Sequence, residues 1–355
     1  MACVSWFVFW ADHERPRRGE GDILVLGDGR LLLAYTEFYG GYADHSPARI
    51  MATTSTDDGE TWSEPKTLQE NVGGCNVMSA SLLRLRSEGI TLFYLVKSHP
   101  RMDCKVYMRR SDDEAETWSE PLRVIGDEGY YVLNNARVIQ TSTGRVIVPV
   151  STYQNPETFS HWKSLIYYSD DECETWHKGG EVKLPREVDS RVGLQEPGVI
   201  ELRDGRLMMY MRTALGYVYQ SHSEDWGETW SEPRSITDLK APTSPTTMAR
   251  IPKTGDLIAV WNDKGMFNLE GLGRTGADIT DREFQRRTPL SIAISRDEGL
   301  TWRKTLNLET EEVCHYPSID FKDDQILITY YYKGHRNLKF VRIRVEELYR
   351  NPLLP

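Results

Sequence analysis

Polar side chains recur in this 355-residue chain at the two ends of short apolar segments, and these are the residues equipped for chemistry. Six segments are entered through Glu20 and Asp22, Asn76 and Ser79, Asn135 and Arg137, Glu196, Thr243 and Ser244, and Tyr316. They are left through Glu37, Lys97, Tyr153, Arg212, Asn262 with Asp263, and Tyr332. Carboxylates, guanidinium groups, amides and phenols that converge on a rigid scaffold make a ligand site. Convergence requires a fold that brings six distant stretches of chain to one place.

Two repeats supply that fold. The first is SxDxGxTW: STDDGETW from Ser55, SDDEAETW from Ser111, SDDECETW from Ser169, SEDWGETW from Ser223 and SRDEGLTW from Ser295. Asp accepts local backbone N–H bonds and Gly tolerates positive φ, so each copy reads as a tight turn closed by a packing Trp. The second repeat is an apolar strand, a turn and another apolar strand. DILVLGDGRLLLAYTEF from Asp22 is the first copy and SIDFKDDQILITYYYKG from Ser318 the sixth. The six turns lie near Gly29, Gly89, Gly144, Gly205, Gly255 and Asp324, about 50 to 70 residues apart. Each copy reads as a β-hairpin.

Each of the first five hairpins is followed by an SxDxGxTW turn, which makes four strands per unit. The pattern predicts an all-β chain, residues 1–355 as one domain, folded as a six-bladed β-propeller of four-stranded antiparallel blades. The sixth hairpin has no such turn after it. Segment 1–12 is expected to supply a strand to that last blade, closing the ring through N- and C-terminal strands and removing exposed edges. A solenoid is disfavoured by the long period. Segment 263–286, with Gly265, Gly271, Gly273 and Gly276, reads as a loop inserted in the fifth blade. The Asp turns belong between outer strands, so Asp57, Asp113, Asp171, Asp225 and Asp297 are read as structural.

Composition narrows the partners. A formal net charge of −10 disfavours nucleic acid and anionic membrane surfaces. No run of 18 apolar residues exists, so no membrane insertion is expected. Trp6, Phe7, Val8 and Phe9 read as a strand rather than a signal peptide, since no basic stretch precedes them. Five cysteines without a CxxC pair indicate neither a zinc site nor a disulfide framework, and a cytoplasmic location is the matching expectation. His45, His99, His161 and His315 are scattered, so neither a metal nor another cofactor is expected.

The SxDxGxTW turns resemble the Asp-boxes of sialidases (neuraminidases) and related BNR-repeat propellers, and the resemblance covers nearly the whole chain. It implies a glycoside hydrolase acting on an acidic sugar of a glycoconjugate, with a tyrosine nucleophile, a glutamate partner, an aspartate acid/base and three carboxylate-binding arginines. QEPGVIELRDGRLMMYMRT is similar to the stretch with the catalytic glutamate and second arginine, giving Glu196 and Arg212. RRTPLSIAISRDEGLTW is similar to the stretch with the third arginine, giving Arg287. CHYPSIDF resembles the nucleophile strand, giving Tyr316, and YGGYADHSPARI the acid/base loop, giving Asp44.

At the head of the first hairpin the family usually shows Arg-Ile-Pro. Here the chain reads RRGEGDIL, with Gly19 at the arginine's place by spacing and Arg18 adjacent. Glu20 would set a negative charge close to a substrate carboxylate. Arg18, Glu37, Asn135, Arg137 and Asn262 complete the expected substrate-binding set. A neutral Tyr suits attack beside a substrate carboxylate, and its pKa near 10 calls for a base such as Glu196. Cleavage or elimination of a different sugar in the same pocket, and non-catalytic carbohydrate binding, stand as alternatives.

Overall fold

A computed structural model describes residues 5–155, 157–188, 190–272 and 277–350. Its strands form six four-stranded antiparallel sheets. The first comprises β2 (Arg17–Val25), β3 (Leu31–Phe38), β4 (Ala48–Ser55) and β5 (Lys66–Gln69), after a leading strand β1 (Ser5–Phe9). The second comprises β6 (Asn76–Arg84), β7 (Ile90–His99), β8 (Asp103–Ser111) and β9 (Leu122–Arg123). The third comprises β10 (Ile139–Gln140), β11 (Val146–Asn155), β12 (Ser160–Ser169) and β13 (His177–Val182). The fourth comprises β14 (Gln195–Glu201), β15 (Leu207–Arg212), β16 (Tyr217–Ser223) and β17 (Arg234–Lys240). The fifth comprises β18 (Thr247–Arg250), β19 (Leu257–Asn262), β20 (Leu290–Ser295) and β21 (Arg303–Glu309). In the sixth, β22 (His315–Lys322), β23 (Gln325–Tyr332) and β24 (Asn337–Arg344) are joined by β1.

These are the six expected propeller blades, each a meander from the first hairpin outward. The chain's opening strand closes the sixth sheet antiparallel to β24, with Phe7 opposite Phe340. By contacts the chain divides into two compact units, Met1–Gln140 with Tyr316–Glu347, and Thr141–His315 with Leu348–Pro355. The expected insertion joins β19 to β20 and carries one 3-10 turn, Leu269–Gly271. Gly273 and Gly276 lie outside the described residues.

Strands sandwiched on both faces need continuous apolar runs. In β3, LLLAYTEF, all eight residues are buried. In the first unit, one core packs Leu26, Leu32, Ala34 and Ile50 against Val77, Leu82, Leu92 and Tyr94. A second packs Phe9, Ile23, Leu33 and Tyr35 against Leu327, Leu338 and Phe340, with Trp62 at its edge. The second unit has its own core around Trp261, Tyr210, Ile200, Leu257 and Trp302.

The five Asp turns share one hydrogen-bond pattern. Ser55 Oγ donates to Asp57 Oδ1 at 2.8 Å and accepts from Gly59 N, while Asp57 Oδ1 also accepts from Thr61 N. Trp62 Nε1 donates to Gly59 O at 3.2 Å, as Trp118 and Trp230 do in their own turns, whereas Trp302 Nε1 in the fifth turn makes no such bond. The fifth residue of each motif is left-handed, with φ of 87° at Gly59, 68° at Ala115 and 80° at Cys173. Hydrogen bonds from Thr61 and Ser55 hold the Asp57 carboxyl down at about 2.

Candidate active site

The entrance of the first strand in five sheets shares a strained backbone. Glu20, Ser79, Ala136, Glu196 and Tyr316 have φ of 46°, 61°, 55°, 45° and 57°. The register shifts at this point in β2 (between Gly19 and Asp22), in β6 (between Met78 and Ser81) and in β14 (between Gln195 and Gly198). Such bulges re-aim side chains, and a left-handed non-glycine residue stores about 1–3 kcal/mol that the surroundings must overcome.

In the first unit the bulge builds a buried ionic cluster. Arg17, at the start of β2, donates from Nη2 to Glu20 Oε1 at 2.9 Å and from Nε to Tyr331 Oη at 2.8 Å. Its Nη1 donates to Asp44 Oδ1 and, at 3.4 Å, to the Tyr42 carbonyl. Its guanidinium also lies 4.3 Å from the centre of the Phe38 ring. The second Glu20 oxygen accepts from Ser79 Oγ. Gly19 is required here, because a Cβ would fall 2.0 Å from the Tyr331 ring.

Burial raises the Glu20 carboxyl above its ordinary value, although Arg17 and Ser79 oppose this. Protein packed around Asp44 opposes its ionisation even though the carboxyl reaches solvent, and the Arg17 guanidinium beside it overrides that and holds the carboxyl below its usual range. For Arg17 itself, burial works against the charge, while Tyr331, Glu20 and Asp44 more than offset it and keep the side chain protonated.

Asp44 sits on the loop between β3 and β4. Lys97 Nζ and Asn76 Nδ2 donate to its backbone carbonyl at 2.8 and 3.0 Å, and Asn76 also reaches the Ser46 carbonyl. The loop is thereby fixed, yet the Asp44 side chain remains 72% exposed. The half-buried Tyr316 ring stands edge-on to Tyr331 at 6.0 Å and lies 6.5 Å from His335.

Arg18 and Glu37, both candidates for ligand contact, are engaged with one another. Arg18 Nε donates to Glu37 Oε2 at 3.0 Å and Nη1 to the Trp10 carbonyl, while Arg49 holds the other Glu37 oxygen. Arg17, which the sequence did not single out, is the arginine that meets Asp44. Asn135 is fully buried and ties backbone to backbone, donating to the carbonyls of Gly21 and Tyr316. Arg137 is equally buried, with its N–H on Ser81 Oγ. Near it, burial pushes the Asp22 carboxyl up to about 8 against hydrogen bonds from Leu82 N and Ile23 N.

In the second unit, Glu196 and Arg212 come together as a pair across β14 and β15. Arg212 Nη1 donates to Glu196 Oε2 at 2.7 Å, and the two side chains are largely buried. Arg287 donates to the Thr243 carbonyl at 3.0 Å. Asn262 accepts from Ser244 Oγ and donates to the Cys314 carbonyl, a buried tie between strand ends. Among the described residues no group of three His, Cys, Asp or Glu side chains is placed to hold a metal ion. No helix among them is long and apolar enough to cross a membrane.

Comparison with known proteins gives these features a context. Residues 29–328 match the BNR repeat-like domain family. A sialidase of Paraclostridium sordellii is 28% identical over 238 residues, 58% of this chain and 55% of that protein. A sialidase of Clostridium perfringens is 29% identical over 233 residues, 59% of each. The chain thus spans less than two thirds of the curated relatives it matches. Among solved structures, the microbial sialidase Hz136 superposes with a TM-score of 0.75 at 18% identity, over 94% of this chain and 66% of that one. A protein of unknown function from Dyadobacter fermentans superposes with a TM-score of 0.75 at 16% identity, over 96% of this chain and 99% of that one. At these identities the likeness shows a shared fold.

Proposed function

The chain belongs to the BNR repeat-like family, and from that premise we propose that it is a retaining glycoside hydrolase of the sialidase type. The observation that carries the reading is the cluster of Arg17, Glu20, Asp44 and Tyr331 with Tyr316 at its edge. A β-sheet scaffold gains little from burying such a network, because desolvating charges costs about as much as their pairing returns. Strained backbone at Glu20 and Tyr316 points the same way, since strain is retained where function needs it.

In this reading, by resemblance, Tyr316 has the nucleophile's role, its Oη attacking the anomeric carbon as the phenol gives up its proton, and Glu196 has the base's role. The bond to the leaving oxygen breaks as Asp44 protonates that oxygen. Water then attacks the anomeric carbon of the glycosyl-tyrosine, Asp44 takes a proton from the water, and the departing Tyr316 phenolate is reprotonated. Arg212 and Arg287 are the candidate substrate contacts of the second unit. An arginine contact from Arg18 is disfavoured by its engagement with Glu37.

Turnover of aryl glycosides by the wild type, Tyr316→Phe and Glu196→Gln tests the reading. Each substitution is expected to lower kcat by about 10³-fold or more with the fold intact by circular dichroism. Normal turnover in either variant removes that residue from the mechanism. A second reading, non-catalytic carbohydrate binding, is favoured by the ionised state in which Arg17 holds Asp44. It predicts sugar binding by the wild type with no turnover of any glycoside.

A further inference from the structure

The tryptophans that close the Asp turns do not all meet the same surroundings. Trp62 is flanked by Phe7, Phe9 and Phe340, Trp118 packs against the core of the first two sheets, and Trp302 is buried. Trp230, in the second unit, is half-buried and borders a cleft of about 580 Å³ beside β16 and β17. A further cleft, of about 390 Å³, lies between Trp230 and the end of β13. The indole is fixed in place: Nε1 donates to Gly227 O at 3.2 Å, and a Cβ on Gly180 would come within 2.8 Å of the ring.

The larger cleft is furnished with polar groups that the protein itself does not use. Neither the His222 imidazole nor the Arg234 guanidinium has a hydrogen-bond or ion-pair partner among the described residues, and the same holds for the carboxylates of Glu224 and Glu232. Arg206, by contrast, is held by Asp204 at 2.8 Å. Burial, with Arg206 and Arg234 nearby, pushes the imidazole down to about 4. It is therefore neutral near pH 7, with one nitrogen a donor and the other an acceptor.

A compact anion in this cleft would meet Arg234 but also two carboxylates. An apolar ligand would strip water from all of these groups and replace none of it. A sugar ring satisfies both walls, with a C–H face for the indole and hydroxyls that donate to carboxylates and accept from the guanidinium. The volume falls in the range of small-molecule sites, roughly 300–1,000 Å³. We propose that Trp230, His222 and Arg234 form a non-catalytic binding site for a neutral saccharide, separate from the candidate active site. Arg206 precedes β15 and Arg212 ends it, so six residue steps, about 20 Å of strand, lie between this cleft and the Glu196–Arg212 pair. The site does not depend on the glycosidase reading.

Isothermal titration calorimetry of the full chain with lactose, N-acetyllactosamine and maltose tests the proposal. At least one of these is expected to bind the wild type with a Kd of about 1 mM or tighter. Trp230→Ala and Arg234→Ala should each weaken that binding about tenfold, through loss of the stacking face and of a charged donor. Glu196→Gln should leave it unchanged. Arg234→Ala removes no bond within the protein and carries the test if Trp230→Ala fails to fold. No binding of any of the three sugars overturns the proposal, as does binding that survives in Arg234→Ala at full strength or is lost in Glu196→Gln. Turnover of aryl glycosides should stay within about twofold of wild type in Arg234→Ala. Failure of the glycosidase reading shows as absent turnover and failure of this site as absent disaccharide binding, so the two are told apart.

Discussion

The Asp turns and the left-handed strand entrances both repeat along the chain, and they repeat in opposite ways. In the turns the side chains are constant: the Ser Oγ to Asp Oδ1 distance is 2.8 Å at Ser55, Ser111, Ser223 and Ser295 and 2.7 Å at Ser169. At the strand entrances the backbone is constant and the side chains differ, from Glu20 through Ser79, Ala136 and Glu196 to Tyr316. A bond set needed in every blade is scaffold. A strained backbone kept constant beneath changing side chains suits the proposed site, because chemistry needs each group once.

The comparison breaks most visibly on rate. Tyr316→Phe should cost about 10³-fold or more in kcat, whereas Asp225→Ala should leave kcat within roughly twofold. A large rate loss in the turn variant would erase the distinction. The next largest effect concerns pH. Because burial is outweighed by Arg17, Asp44 is protonated only below its ordinary range. The proposed role of Asp44 as the acid of the first step predicts that kcat/KM rises roughly tenfold per pH unit as pH falls from neutrality. A flat profile measured between pH 7 and 5 takes Asp44 out of that role.

Smaller effects sharpen the scaffold side. Asp225 accepts from Thr229 N, Thr229 Oγ1 and Ser223 Oγ, so Asp225→Ala should lower unfolding stability by about 1–2 kcal/mol in denaturant titrations. Ala115 occupies the left-handed position that glycine fills in three of the motifs. Ala115→Gly should therefore raise stability by about 0.5–1 kcal/mol, and a loss of that size would show that the methyl's packing outweighs the strain.

The scaffold was legible because its signals are local. The run DILVLGDGRLLLAYTEF folds as read, with Ile23 opposite Leu33 across a turn at Gly29, whose φ is 85°. The strand expected in segment 1–12 pairs with β24 over Ser5–Phe9. The candidate site was half legible, and its clearest difference from the sequence reading lies on β2. Arg18 stood out where Arg17 faces the cluster. Neighbours on a strand face opposite ways, so a one-residue bulge decides which of them turns inward. The only trace of that bulge in the sequence is Glu20 held between two glycines. Nothing local could reveal that Ser79, fifty-nine residues on, would close the Glu20 carboxylate.

The sheet that takes β1 from the front of the chain and β22 to β24 from far downstream has a consequence for how the molecule comes into being. A ribosome delivers Arg17, Glu20 and Asp44 early, but Tyr316 and Tyr331 emerge only after the whole of Thr141–His315 has been made. Until then Arg17 lacks its phenol partner and the first unit lacks a sheet. The complete cluster is therefore a late arrival in biosynthesis, and a nascent chain stalled before Tyr316 would carry completed sheets but an Arg17 without Tyr331.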